Sequence, residues 1–223
     1  MIDMEYKRIT LLCGHYGSGK TNVAINMAFD INKSYENVVI ADLDIVNPYF
    51  RTKDSAKELE QNGIKLIASE YAGTNVDIPA LPAEMYSLTD DKSARAVIDV
   101  GGDDRGALAL GRLSPAIIEE NDYECLLVIN KFRPLTPDAE STLEVMREIE
   151  NAGKIKFTGL VNNSNLGEET SASDVLGSVE YAKRVSEITG LPIKCTTVNK
   201  KLYNELCGKI ENIFPLSLQK KIN

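Results

Sequence analysis

Cys13-Gly14-His15-Tyr16-Gly17-Ser18-Gly19-Lys20-Thr21 is the stretch whose reading decides the fold. It follows the apolar residues Ile9, Leu11 and Leu12, and it precedes Val23, Ala24, Met27 and Ala28 at helical spacing. That is a strand, a glycine-rich loop and a helix. Gly14, Gly19, Lys20 and Thr21 fall at the G-x-x-x-x-G-K-T spacing of a P-loop. Glycines let the backbone turn tightly and bring its N–H groups against phosphate oxygens. The helix that starts near Gly19 points its positive end at the same anion. Lys20 would neutralise the β- and γ-phosphates, and the Thr21 hydroxyl would ligate Mg²⁺. His15, Tyr16, Gly17, Ser18 and Asn22 complete the loop and the first helical turn, and all are candidate nucleotide contacts. His15 admits two readings: its backbone alone serves the phosphate, or its imidazolium adds positive charge. Average residue usage gives such a match by chance in roughly 1% of chains of this length, so a nucleotide is the expected ligand.

Bulk composition narrows the class. With 223 residues, 43% hydrophobic and 26% charged, the chain reads as one soluble globular domain spanning 1–223. No apolar run reaches the roughly 18 residues that span a bilayer. Met1-Ile2-Asp3-Met4-Glu5 lacks the cationic start and apolar core of a signal peptide. A net charge of −8 argues against a nucleic-acid partner. Cys13, Cys125, Cys195 and Cys207 are widely spaced with no C-x-x-C, so neither a disulfide framework nor a zinc site is expected within the chain. A cytoplasmic location fits these features.

Strand patterns fall at Ile9–Cys13, Val38–Ala41, Lys65–Ala68, Ala96–Val100, Leu126–Ile129, Thr158–Val161 and Ile193–Thr197. Most are short continuous apolar runs, as in strands covered on both faces. Helical patterns lie between them at 22–33, 55–62, 107–121, 137–151 and 174–189, and a last one at 200–213 is expected to pack on the sheet. Thr136 is the expected N-cap of the fourth, and Gly190 closes the fifth. This alternation predicts an α/β fold: three layers, with a mostly parallel sheet of about seven strands and helices on both faces.

In such a sheet, ligands bind beyond the carboxyl ends of the strands. Asp42 and Asp44 follow the second strand, two apart, and an extended backbone points both to one side. One would hold Mg²⁺ through water, and the other would orient the attacking water. Asp99 ends the fourth strand as a Walker B acid for Mg²⁺, and Gly102 lets a backbone N–H approach the γ-phosphate. Arg105 and Arg112 read best as surface charges. Asn163 follows the sixth strand, where an amide offers both donor and acceptor to a purine edge. Asn130-Lys131-Phe132-Arg133 superficially resembles a guanine-reading N-K-x-D. Arg133 replaces the acid, which favours adenine. Residues 69–92 form a long connection holding Pro79 and Pro82, the expected contact region for a protein partner or a small-molecule substrate.

Taken together, these stretches resemble the MinD/ParA-type P-loop NTPases, a group that includes the nitrogenase iron protein, dethiobiotin synthetase and cobyrinic acid a,c-diamide synthase. The resemblance runs from Ile9 to about Thr197. It implies ATP and Mg²⁺ as cofactors, with Thr21, Asp42 and Asp99 serving the metal. It also implies Lys20 and Asp44 in catalysis and Asn163 at adenine. Many relatives carry a second lysine where this chain has His15, reaching across an ATP-bridged homodimer. The leading expectation is an ATPase switch in which residues 43–53 and 101–112 respond to nucleotide. The alternatives are an ATP-dependent ligase or synthetase and a non-hydrolysing nucleotide-binding module.

Overall fold

A computed structural model describes residues 4–44, 56–68, 81, 83–102 and 104–218. Eight strands alternate with helices. They are β1 (Ile9–Cys13), β2 (Val38–Asp42), β3 (Lys65–Ala68), β4 (Arg95–Asp99), β5 (Tyr123–Ile129), β6 (Gly159–Asn162), β7 (Ile193–Asn199) and β8 (Ile213–Leu216). The helices are α1 (Lys20–Ile31), α2 (Ala56–Gln61), α3 (Ala83–Asp90), α4 (Asp104–Glu120), α5 (Ala139–Gly153), α6 (Ala172–Thr189) and the single turn α7 (Tyr203–Leu206). The strands form one sheet in the order β3-β2-β4-β1-β5-β6-β7-β8, and every neighbouring pair is parallel.

Period-two alternation in β1 shows why the sheet needs helices on both faces. Ile9, Leu11 and Cys13 pack into one core with Leu110 and Leu113 of α4 and Ala182 and Val185 of α6. Leu12 points the other way, into a core with Val23, Ala24 and Met27 of α1. Connections from β1 and β4 leave in opposite directions, because β2 lies to one side of them and β5 to the other. That divergence opens a crevice at the carboxyl ends, with the loop after β1 at its centre.

The helical pattern expected over 200–213 is replaced by something else. Lys200–Leu202 form a 3₁₀ turn, α7 adds one turn, and Gly208 and Asn212 take left-handed φ values of 81° and 50°. Those two residues end any helix, and Ile213–Leu216 then pair with Thr196–Asn199 as an eighth strand. Pro215 is tolerated because β8 is the edge of the sheet. The 69–92 connection also holds structure of its own, since Ala83–Asp90 is helical; residues 69–80 and 82 lie outside the described residues. Asp138, not Thr136, caps α5: its carboxylate accepts from Ser141 N at 2.8 Å, while the Thr136 hydroxyl donates to Asn130 O at 2.8 Å. Gly190 ends α6 in the left-handed conformation, as expected.

The opposite end of the sheet is tied by charge. Arg8, 5% exposed, makes a two-pronged ion pair with Glu120 and donates to Leu88 O and Ala94 O, both at 3.0 Å. The Arg8 guanidinium, joined by the Lys92 ammonium, holds the Glu120 carboxyl below its usual value of 4.5. A depressed carboxyl contributes stability above its unfolded pKa and loses it as pH falls through the folded one. Glu120→Gln should therefore cost about 3 kcal/mol near neutral pH, because it leaves the buried Arg8 charge without its carboxylate counter-charge. The deficit against wild type should shrink below about pH 4. Urea melts of both proteins between pH 3 and pH 7 measure it.

Candidate functional site

The loop between β1 and α1 is shaped by its own sequence. Gly19 is the N-cap of α1 at φ 87°, a left-handed conformation that costs any other residue. It offers no side-chain cap, and the first turn of α1 holds no acid. The helix start thus carries neither a capping side chain nor a negative charge to compete with an anion. Inside the loop, Ser18 N donates to His15 O at 3.1 Å, and Lys20 Nζ donates to the same carbonyl at 3.3 Å. Lys20 is only 7% exposed. The His15 ring turns back, with Nδ1 3.0 Å from Tyr16 O, while the Tyr16 side chain faces outward. Asn22 lies in the first turn of α1, its carbonyl accepting from Asn26 Nδ2 at 2.8 Å.

Strand order brings the acids together. β2 and β4 are neighbours in a register that sets Asp42 directly beside Asp99, both at strand ends and both buried. Burial and then the Asp42 charge push the Asp99 carboxyl up to about 7, while Lys20 and the hydrogen-bonding hydroxyl of Thr21 pull the other way. Asp44 follows with its backbone N–H donating to Asp42 Oδ1 at 2.9 Å. Gly102, in the loop after β4, touches the P-loop: a β-carbon there would lie 2.6 Å from Tyr16 N and 2.8 Å from Lys20 Nζ.

These groups suit Mg²⁺. Two carboxylates and a threonine hydroxyl are hard oxygen donors, and Asp99 Oδ1 is buried without a hydrogen-bond partner. Among the described residues there is no group of three or more His, Cys, Asp or Glu that would hold a metal alone. Mg²⁺ characteristically takes one or two carboxylates and completes its shell with phosphate and water.

Asn163 is placed differently from a base reader with an open edge. Its side chain is buried, its Nδ2 donates to Ser18 O at 2.6 Å, and its Oδ1 accepts from the Thr197 hydroxyl. The amide thus joins the end of β6 to the P-loop and to β7, with both of its ends occupied. A β-carbon at Gly19 would lie 2.3 Å from that Nδ2. Asn163→Ala should therefore remove the amide donor from the buried Ser18 carbonyl and leave the Thr197 hydroxyl only Asn162 O, at 3.4 Å, at a cost of about 1–3 kcal/mol. Thermal melting without nucleotide checks this, because a residue used only at the base would leave that melt unchanged.

Other parts of the edge were not foreseen. Asn130 Oδ1 accepts from Phe132 N and Asn165 N, Asn162 Oδ1 accepts from Ser164, and Lys131 N donates to Ser164 Oγ. These buried amides stitch the loops after β5 and β6 together. Asparagine richness was the available signal, but it reads equally as turn chemistry. In the sequence Arg133 stands out only as a departure from N-K-x-D; its aliphatic stem and guanidinium lie along Gly17 of the P-loop. Arg112 is exposed on α4. The Arg105 side chain, Asp103 and the 45–53 part of the expected switch segment lie outside the described residues.

The sheet, the loop between β1 and α1 and the paired acids define an α/β P-loop NTPase fold, and solved structures bear this out. The chain is similar to chloroplast FtsY from Physcomitrella patens, at 16% identity over 88% of this chain and 60% of that one, with a TM-score of 0.58. It is similar to the cell division protein FtsY from Thermotoga maritima, at 20% identity over 89% and 63%, with a TM-score of 0.55. It is also similar to the signal recognition particle 54 kDa protein from Aeropyrum pernix, solved in complex with GDP, at 20% identity over 86% and 41%, with a TM-score of 0.53. The chain spans less than two thirds of each of these proteins. At these identities the likeness carries the fold alone, and these neighbours are not of the MinD/ParA branch. No protein-family model matches the chain, and no curated protein matches it. No helix among the described residues is long and apolar enough to cross a membrane.

Proposed function

We propose that this chain binds a nucleoside triphosphate with Mg²⁺, hydrolyses it, and uses the cycle as a switch for a partner or for a second copy of itself. One observation carries the reading. Among the described residues, three buried side-chain polar atoms have no hydrogen-bond partner: Ser18 Oγ, Asp99 Oδ1 and Arg133 Nε. All three belong to the P-loop or to the loops and strand ends around it. Buried polar groups are normally satisfied, so an orphaned cluster at one edge marks a place where a ligand completes the bonding.

In this reading the P-loop amides hold the phosphate chain and Lys20 donates to its terminal oxygens. Thr21, Asp42 and Asp99 would hold Mg²⁺, which when bound spreads the charge that develops on those oxygens. Asp44 orients the attacking water, and Gly102 N–H approaches the γ-phosphate. The groove between the ends of β6, β7 and β8, lined by Asn165, Thr170, Val198, Asn199 and Leu216, would have to widen to take the base, since its interior admits little more than a water. Asn163 borders that groove and, beyond its bonds to Ser18 and Thr197, keeps one Nδ2 hydrogen and one Oδ1 lone pair that a base edge would take. Adenine is favoured over guanine because Arg133 occupies the place of the acid in N-K-x-D. The MinD/ParA branch and a nucleotide-dependent homodimer belong to the same proposal. The ligase alternative rests on the long 69–92 connection, of which residues 81 and 83–92 are described, and on His15 where many relatives carry the second lysine.

The test pairs two measurements on purified protein with Mg²⁺ and either ATP or GTP: phosphate release and molecular mass. Turnover with ATP together with an ATP-dependent rise in mass supports the switch. No heat of association with either triphosphate at millimolar concentration overturns the reading.

A further inference from the structure

Arg133 is unlike the other arginines in the described structure. It follows β5 by four residues, in a turn pinned at every step. Arg133 N donates to Asn130 O and Thr136 N donates to Arg133 O, both at 3.1 Å, while Asn130 Oδ1 holds Phe132 N and the Thr136 hydroxyl holds Asn130 O. The base of the side chain is therefore fixed by the fold. Its far end lies on the P-loop: measured from a β-carbon position at Gly17, Nε is at 3.5 Å, and Cδ and Cζ are at 3.7 Å. Nε is buried and has no hydrogen-bond partner, and no carboxylate among the described residues forms an ion pair with this guanidinium.

Arg8 provides the contrast, since its guanidinium is filled by Glu120 and backbone carbonyls. A buried guanidinium N–H with nothing to donate to is costly, and such atoms are rare in folded proteins. The fork formed by Nε and a terminal nitrogen matches the oxygen spacing of a phosphate. The second loop position is His15, so the loop itself brings no second lysine; β5 brings an arginine instead.

From this geometry we infer that Arg133 is a phosphate-binding residue of the nucleotide site, donating from its guanidinium to the phosphate chain of the nucleotide held by the same P-loop. The inference rests on the nucleotide-binding reading above and adds to it a contact from outside the P-loop and the acid-bearing strands. The contact is to phosphate and not to the base, so it is shared by any ligand with the same polyphosphate tail. Arg133 then has two consequences: it denies the site the acid of N-K-x-D, and it strengthens the hold on phosphate.

Calorimetry with Mg²⁺ separates the possibilities, using the triphosphate that wild type binds and inorganic tripolyphosphate, which has no base. Arg133→Gln should weaken both by a similar factor of about 10–100, the range expected for a lost charge-assisted hydrogen bond. Arg133→Lys, which keeps the charge but not the fork, should fall between Gln and wild type. The melting temperature without ligand should stay level or rise in Arg133→Gln, because an orphaned donor is removed. Unchanged affinity for both ligands overturns the inference. So does a loss confined to the nucleotide, which would place Arg133 at the base. So does a fall in the ligand-free melting temperature large enough to account for the weakened binding. If wild type binds neither ligand, the nucleotide-binding reading itself has failed.

Discussion

Lys20→Ala should bind the Mg²⁺–triphosphate about 10²–10³-fold more weakly than wild type and release no phosphate above background. Hydrogen bonds to charged groups contribute about 1.5–3 kcal/mol each, and in the proposed complex this ammonium would face two phosphates. The surroundings enlarge the effect. Lys20 is nearly buried, and its charge is the largest influence holding the Asp99 carboxyl down against burial and against Asp42. Removing it favours the protonated acid, so the Mg²⁺ position weakens together with the phosphate position. Calorimetry and phosphate release from one preparation measure both losses. The fold should survive, since the Lys20 Nζ bond to His15 O lies within the loop and crosses no core. Undiminished turnover in Lys20→Ala would remove the P-loop from the mechanism.

Gly102→Ala should separate hydrolysis from binding. A β-carbon at 102 would meet Tyr16 N at 2.6 Å, Tyr16 Cα at 2.8 Å and Lys20 Nζ at 2.8 Å. Two of those atoms are backbone, so rotamer changes cannot relieve the contact. The loop after β4 must back away from the P-loop, and overpacking of this kind costs about 1–3 kcal/mol. If Gly102 N–H meets the γ-phosphate, that retreat falls on the transition state of its transfer, and turnover should drop about 10–100-fold. A nucleoside diphosphate has no γ-phosphate, so its affinity should remain close to wild type. Equal loss of diphosphate and triphosphate binding would show that the substitution damages the P-loop as a whole.

Much of this architecture is legible in the chain. β1, the P-loop and α1 are consecutive, so short-range spacing specifies them, and Ile9–Cys13 is a strand over the expected residues. The remaining core strands are apolar runs, and their alternation with helical patterns requires parallel crossovers. The tail fails for a local reason. Leu202, Leu206, Ile210 and Ile213 have helical spacing, but Gly208 and Asn212 adopt left-handed backbone and β7 offers an unpaired edge, so residues 213–216 become a strand.

By itself the sequence determined the phosphate-binding loop, the acids at strand ends and the class of fold, because each of these is set by residues within a few positions of one another. Tertiary structure alone decided that Asp42 stands beside Asp99, that the Asn163 amide reaches Ser18 across 145 residues, and that Arg133 lies along Gly17. Those neighbours follow from the order and register of strands in the sheet. Strand order is settled by which long-range burial is best satisfied, and local periodicity carries no record of it.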